Sequence, residues 1–138
     1  MSLRFDDVAV GDELPPLVFG PVSRHVLALY CGGSGDHNPI HVDIDFARAA
    51  GFDDVFAHGM LSMAVLSRLL TEWVDQTQLR EYSVRFTAIT PVNVSVSCTG
   101  VIKEKFQADG ENRVRISVRT RIDGGTTTVA GQAVVALP

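Results

Sequence analysis

The sequence has few cysteines, which excludes a fold held together by disulfides. Cys31 and Cys98 are the two cysteines among 138 residues, one before a glycine-rich run and one within an alternating strand pattern. Two residues in such different surroundings do not make a disulfide framework, so both are predicted to be free thiols. Nothing beside Cys31 in the sequence would activate a nucleophile, and we interpret it as a small packing residue.

Long apolar runs and an excess of basic charge are also missing. No run of about 18 apolar residues exists to cross a bilayer, and acidic residues interrupt the first positions where a secretory signal needs a hydrophobic core. A cytoplasmic protein is therefore expected. The net charge is −4, with 12 Lys and Arg against 16 Asp and Glu. Because general nucleic-acid binding requires clustered basic residues that neutralise phosphates, a nucleic-acid partner is not expected.

The overall composition is typical of a folded globular domain. Hydrophobic residues make up 46% of the chain and charged residues 20%. A chain of this length usually forms one domain with a single core. No internal repeat or linker interrupts it, so residues 1–138 are predicted to be one domain.

Helical patterns lie in the first half of the chain. Ser23 is a candidate N-cap for a short helix over 24–30, which the glycine-rich run that follows is expected to end. A second short helix is predicted over 45–51. The longest helical signal covers 58–76, and its residues 60–65 are apolar nearly all round. The start of this helix is therefore expected to be enclosed by the fold and its end to emerge from it.

Strand patterns fill the second half. Apolar and polar residues alternate at period two, and turn signals at Asp109–Gly110 and Gly124–Gly125 separate the later strands. Such strands form an antiparallel sheet with one wet face, and the long helix must cover the other face. The prediction is an α+β domain of the hot-dog type, with the sheet wrapped around one long helix. The predicted strands lie in 84–88, 92–99, 113–122 and 126–137.

A cluster of polar residues follows the first helix, in the stretch GDHNPIH at 35–41. Pro39 has no N–H and pushes Asn38 out of the helical region, so Asp36 and His41 can approach each other only across a turn. Adding water to a double bond conjugated to a thioester needs a base, an acid and donors for the carbonyl oxygen. Asp36 and His41 are candidates for the acid and base, and Asn38 for orienting the water.

The start of the long helix supplies candidate donors. His58, Gly59 and Met60 open this helix, whose first N–H groups have no partners within the helix and whose dipole favours negative charge. Gly59 would let a ligand approach the backbone closely. A thioester oxygen is therefore predicted to bind there.

Other interpretations of the cluster stay open at this point. Asp, Asn and Gly near proline are also ordinary turn residues in solvent. A nucleophile at Ser34 or Ser62 has no nucleophile-elbow pattern to support it. A metal site lacks a known ligand spacing, so no metal is predicted. The residues considered for that metal site are Asp36, His37, His41 and His58.

An arginine stripe lies on one of the predicted strands. Alternation directs these side chains outward, so the simplest interpretation is the wet face of a strand. Recruitment of an acidic carrier protein or a phosphate-bearing ligand is the alternative. The stripe consists of Arg113, Arg115, Arg119 and Arg121.

The cluster and its surroundings resemble a known family. YCGGSGDHNPIHVDIDFA, at 30–47, is similar to the complete signature of the R-specific enoyl hydratases, also called hydratase 2 or MaoC-like dehydratases. AHGMLSM at 57–63 and EYSVRFTAITPV at 81–92 resemble the family's helix entrance and its following strand. Within the family, the chain looks closest to the catalytic B-type subunit of two-subunit (3R)-hydroxyacyl-ACP dehydratases.

The resemblance implies a site and a reaction. Asp36 and His41 would hold the catalytic water, Asn38 would support them, and the backbone at Gly59 would receive the thioester carbonyl. His58, Met60 and Ser62 would belong to the substrate pocket. Ser62 has no catalytic role here, because the serine of some relatives lies five residues beyond the glycine, where this chain has Ala64.

The implied product is a (3R)-hydroxyacyl thioester formed from a trans-2-enoyl thioester carried by CoA or ACP, without a cofactor. The resemblance also implies a hot-dog dimer, formed by two copies or with a related subunit, with the acyl chain along the interface. A non-catalytic hot-dog subunit and a hot-dog thioesterase are the alternatives.

Overall fold

The computed structural model describes residues 2–138, which adopt an α+β fold. Three helices precede most of the sheet, and one short strand precedes the helices. Within residues 2–138, no helix has the length and hydrophobicity needed to cross a membrane. The elements are β1 (Leu17–Phe19), α1 (Arg24–Ser34), α2 (Ile44–Ala49), α3 (Gly59–Thr71), β2 (Leu79–Phe86), β3 (Val96–Ala108), β4 (Glu111–Ile122) and β5 (Thr126–Ala136).

The strands of the described chain form a five-stranded antiparallel sheet in the order β1-β3-β4-β5-β2. Asp109 and Gly110 join β3 to β4, and both have positive φ, 52° and 74°. A two-residue hairpin of type I′ requires this geometry at both positions. β2 pairs only with β5, so the strand that follows α3 lies at an edge of the sheet.

The core lies between α3 and the inner face of the sheet. Leu66, Leu69 and Leu70 of α3 are buried against residues that alternate along the long strands. Gly100 lets β3 approach the helix closely, because a Cβ there would lie 3.2 Å from Leu69 Cδ2. The predicted hot-dog fold, a sheet wrapped around one long helix, is confirmed. The strand residues of this core include Ile102, Val114, Ile116 and Val118.

Several predicted boundaries of helices were wrong. α1 continues through Gly32 and Gly33 and ends only at Gly35, which has φ 76° and donates its N–H to Cys31 O. A glycine costs a helix stability but does not end it unless the chain adopts the left-handed conformation there. α3 ends at Thr71, and Asp75 caps a separate 3-10 turn, accepting from Thr77 N–H.

The expectation that α3 is enclosed at its start was also wrong for the single chain. Met60 is 54% exposed and Ala64 is exposed, whereas Leu66, Leu69 and Leu70 are buried. Within the apolar start of the helix, Leu61 and Val65 are buried in the core, whereas Met60 lines a cavity and Ala64 lies on an uncovered side. The hydrophobic pattern of the sequence does not show which apolar residues of α3 are buried within the single chain and which stay exposed.

The strands also differ from their predicted limits. β1 was not predicted, since three residues carry too little alternation. β2 begins at Leu79, earlier than expected, and β3 begins only at Val96, after a turn at residues 92–93. Asn93 has φ 67° in that turn, a conformation that a strand does not allow.

Candidate active site

The polar stretch at 35–41 folds into a turn held by its own side chains. Ser34 Oγ accepts from Asp36 N–H at 3.1 Å, and Asp36 Oδ1 accepts from Asn38 N–H at 3.2 Å. Asn38 Oδ1 in turn accepts from Ile40 N–H at 3.1 Å and caps the 3-10 turn Pro39–His41. These local hydrogen bonds are typical of Ser, Asp and Asn before a turn. They fix the backbone between Asp36 and His41.

His41 is buried and its tautomer follows from its partner. Its Nδ1 lies 2.8 Å from the carbonyl oxygen of Phe56, and the two rings pack edge to face with centroids 5.3 Å apart. Because a carbonyl only accepts, Nδ1 carries the hydrogen. Nε2 of the neutral ring is then free of hydrogen and can accept a proton. The ring therefore has the form required of a base.

His58 packs directly on His41. The two rings stack with centroids 3.9 Å apart and planes 25° apart. His58 Nε2 lies 3.3 Å from the main-chain oxygen of Asp36 and 3.4 Å from Cys31 Sγ, and the Tyr30 ring meets its face edge-on. Burial, and next the neighbouring His41, lower the pKa of His58 below its usual value. His58 is therefore a neutral ring at neutral pH.

Asp36 brings a carboxylate to these two rings. Ligand atoms of Asp36, His41 and His58 all lie within 4.8 Å of one another, and the Asp36 side chain is exposed. Burial and the charge of Asp36 raise the pKa of Tyr30. The predicted approach of Asp36 and His41 across the proline turn is thus present in the structure.

Three of the four residues considered for a metal lie together, and His37 is not among them. Stacked imidazoles direct their in-plane lone pairs side by side. A zinc ion needs nitrogen lone pairs that converge on one point about 2.0–2.1 Å away. The stacking therefore disfavours a metal on both rings, and the absence of a metal stays a prediction.

A cavity of about 470 Å³ opens beside this cluster. Four predicted site residues line it: Asp36, Gly59, Met60 and Ser62. His41, His58 and Asn38 are not among its lining residues; the two rings adjoin Asp36, which lines it, and the Asn38 side-chain oxygen caps the turn. The remaining wall is mostly apolar and consists of Phe56, Ala57, Phe86, Thr87, Ala88, Ile89, Thr90 and Val129.

The first turn of α3 forms one side of the cavity. Leu61 N–H bonds to His58 O at 3.1 Å, but no hydrogen bond found within residues 2–138 uses the N–H of Gly59 or Met60. These N–H groups lie at the positive end of the helix dipole. An oxyanion that enters the cavity can accept from them. The predicted donor position is therefore present at this helix start.

Sequence reasoning missed three residues that shape the site. Thr90 Oγ1 lies 3.4 Å from Ser62 Oγ, and both residues are buried. Phe56 orients His41 through its carbonyl oxygen, and every residue has a carbonyl, so no sequence signal marks this role. Cys31 was correctly predicted to be a free thiol; the structure shows it buried, and its contact with His58 joins positions 27 apart in the chain.

Comparison with known proteins identifies the family. The model of the MaoC like domain matches residues 10–124, and the chain belongs to this family. The (R)-specific enoyl-CoA hydratase of Rhodospirillum rubrum is 30% identical over 133 residues, covering 91% of this chain and 90% of that protein. The 3-hydroxyacyl-thioester dehydratase Z of Mycobacterium tuberculosis (strain ATCC 25618 / H37Rv) is 26% identical, covering 84% and 82%.

Solved structures agree with the family assignment. The R-hydratase PhaJ1 from Pseudomonas aeruginosa in its unliganded form superposes with a TM-score of 0.85 at 26% identity, covering 99% of this chain and 86% of that one. The predicted resemblance to R-specific enoyl hydratases and MaoC-like dehydratases is confirmed. At the level of the family, the chain is a hydratase or dehydratase of acyl thioesters.

Proposed function

We propose that this protein adds water reversibly to trans-2-enoyl thioesters, giving (3R)-hydroxyacyl thioesters, with Asp36 and His41 activating the water. One observation carries the proposal: the carboxylate and the imidazole meet within 4.8 Å at the edge of an apolar cavity that begins at Gly59. The hydratase and dehydratase names of the relatives support the same chemistry.

In the proposed reaction, His41 Nε2 takes a proton from a water molecule that Asp36 also binds. The water oxygen bonds to the β-carbon, and the electrons of the double bond move onto the thioester oxygen. The proton held by the pair then reaches the α-carbon, the carbonyl re-forms, and the pair ends as it began. The reverse sequence removes water. A catalyst does not change the equilibrium, so the net direction depends on which reaction consumes the product.

The negative charge on the thioester oxygen needs donors that are already in place. Gly59 and Met60, whose N–H groups lie at the start of α3, line the same cavity as Asp36. Donors fixed in a helix need no reorganisation when the charge develops, which makes them effective. In this proposal Asn38 supports the pair indirectly, by holding the turn through its bond to Ile40 N–H.

The apolar wall of the cavity supports an acyl chain as the ligand. Met60, Phe86 and Ile89 line it and are 54%, 53% and 46% exposed in the single chain. Exposed apolar residues of this size, together with the edge strand β2, favour association. We propose a dimer with a second hot-dog chain, either another copy or a related subunit. Either CoA or ACP serves as the carrier in this proposal.

The test incubates the purified protein with crotonyl-CoA and follows the absorbance of the conjugated enoyl thioester beside a thiol-release assay. Loss of absorbance without free thiol, and a product of (3R) configuration, are expected. Release of thiol would instead identify a thioesterase. If a sample with the solution mass of a homodimer shows neither loss of enoyl absorbance nor release of thiol, the proposal for this chain is contradicted.

A further inference from the structure

We propose that His58 is a positioning residue, whose one ring holds both the turn that carries Asp36 and the imidazole of His41. The inference rests on the proposed function, because it assigns His58 a role in the same reaction. It differs from a substrate-binding role, since His58 is 1% exposed and is not among the residues that line the cavity.

The ring of His58 makes a different contact with each member of the pair. It stacks on the His41 ring at 3.9 Å, and its Nε2 donates to the main-chain oxygen of Asp36 at 3.3 Å. His58 itself is the N-cap residue of α3, so its backbone is fixed by the helix that also presents Gly59. One side chain therefore ties the acid–base pair to the candidate oxyanion donors.

The hydrogen bonds of His58 define its tautomer. The Asp36 carbonyl only accepts, so Nε2 carries the hydrogen and Nδ1 is bare. Nδ1 is buried and has no hydrogen-bond partner within the described residues. Protonating it would bury a charged N–H without an acceptor, which is more costly than leaving a neutral group unpaired.

This neutrality matters when His41 accepts a proton. Two charged rings 3.9 Å apart would repel each other, and a neutral neighbour avoids that repulsion. The groups that face His58 are Cys31 and Tyr30 from α1, Asp36 from the turn and His41 from the 3-10 turn. Asp36 is the acidic group among them. The burial that lowers the pKa of His58 therefore leaves His41 as the ring that takes the proton.

Three variants of His58 separate its two contacts. His58→Phe keeps a ring for the stack but removes the donor to the Asp36 carbonyl. His58→Gln keeps an N–H donor but removes the ring. His58→Ala removes both. His25→Phe is the matched control, because it replaces an exposed histidine of α1 that lies outside the cluster of Asp36, His41 and His58.

Turnover is the first measurement. A misplacement of about 1 Å can cost on the order of 10² in rate. We expect kcat to fall on the order of 10²-fold in His58→Ala and roughly 10-fold in each of the other two. KM should stay within about twofold, because the ring does not touch the substrate. His25→Phe should match the wild type in both constants.

The second measurement is independent of turnover. In ¹H–¹⁵N spectra, the wild type should show His41 in one tautomer, with its Nδ1–H bonded to the carbonyl of Phe56. His58→Phe and His25→Phe should keep that signal, whereas His58→Gln and His58→Ala should lose it or show a mixture. If crotonyl-CoA is not turned over by the wild type, the proposed function fails while these spectra still decide the positioning role.

Several outcomes would overturn the inference. A folded His58→Ala with the kcat and His41 signal of the wild type shows that the ring positions nothing. A raised KM with unchanged kcat assigns His58 to substrate binding instead. A loss of kcat in His58→Gln with an unchanged His41 signal is also contrary to it. If His58→Ala does not fold, the kcat values and His41 signals of His58→Phe and His58→Gln test the inference instead.

Discussion

The ring of Phe86 lies against the α-carbon of Gly59, so that a Cβ added to Gly59 would be 3.1 Å from Cδ1 and Cε1 of Phe86. This contact brings the end of β2 to the start of α3 and shapes the cavity between them. Because Phe86 is 53% exposed, its side chain can move when a larger residue replaces Gly59. Changes at Gly59 should therefore affect the cavity more than the fold.

Gly59→Ala should lower kcat/KM at least 10-fold while changing the free energy of unfolding by no more than about 1 kcal/mol. Alanine favours the helix, but its Cβ displaces Phe86 into the cavity and crowds the candidate oxyanion donors. Gly32→Ala is the control, since Gly32 lies in α1 with open space around its α-carbon. Kinetics with crotonyl-CoA and urea unfolding measure both effects. Equal activity of the two variants would contradict the assignment of Gly59.

Asp36→Asn and His41→Gln should each lower kcat on the order of 10² or more, because each removes one of the positioned acid–base groups. His37→Gln is a suitable control: it removes an exposed histidine from the same turn that lies outside the cluster. The measurement is the initial rate of crotonyl-CoA hydration. Near-normal rates in both site variants would refute the proposed pair.

The double variant Ser62→Ala, Thr90→Val should shift the preference toward longer acyl chains. The two hydroxyls lie 3.4 Å apart and form a polar spot in an otherwise mostly apolar wall. Replacing both at once avoids leaving one buried hydroxyl without a hydrogen-bond partner. The ratio of kcat/KM for an eight-carbon over a four-carbon enoyl-CoA should rise roughly fivefold, or about 1 kcal/mol. An unchanged ratio would mean that the acyl chain does not reach this part of the cavity.

The stability of the wild type should fall with pH below about 6.5, in part because of His58. Unfolded His58 takes up a proton near that pH, whereas the folded ring, whose pKa is lowered by burial, does so only at lower pH. The unfolded state then binds more protons, and the free energy of unfolding decreases as pH falls. The contribution is at most about 1.4 kcal/mol per pH unit, since one proton is involved.

Urea unfolding of the wild type and His58→Phe between about pH 7.5 and 5 measures this contribution. The variant should have the flatter dependence on pH, because every other titrating group is common to both proteins. Identical slopes would show that His58 is protonated equally in the folded and unfolded chains, contrary to the neutral ring described above.

Thr120 and Thr128 form a fully buried hydroxyl pair, 2.7 Å apart, behind the cavity wall. Thr128 is an extra residue in β5, at the register shift opposite Thr120–Arg121, and its carbonyl accepts from Thr87 N–H at 2.9 Å. Replacing either threonine by valine should cost about 1–3 kcal/mol, because it leaves the other hydroxyl unpaired. The double variant should cost less than the sum, as measured by chemical unfolding. Additive costs would mean that the pair does not interact.

Much of the fold was readable because its signals are local. Alternation at period two identified most of β4 and β5 but only part of β2 and β3, and the Asp109–Gly110 turn was correct because both residues accept positive φ. The end of α1 was wrong, since glycine lowers helix stability without fixing where a helix ends, and α3 stops at Thr71, five residues before its predicted end. The short strand β1 was missed because its pairing with β3 depends on a partner about 80 residues away in the chain.

The local pattern of residues specifies the turn that carries Asp36 and His41, because the proline and the short polar side chains fix the backbone through hydrogen bonds that span two positions. What surrounds that turn depends on how distant parts of the chain pack. The stack of His58 on His41 and the carbonyl of Phe56 behind it come from residues 15 or more positions away. Packing of α3 against the sheet brings them there, and no local pattern encodes which distant groups will meet.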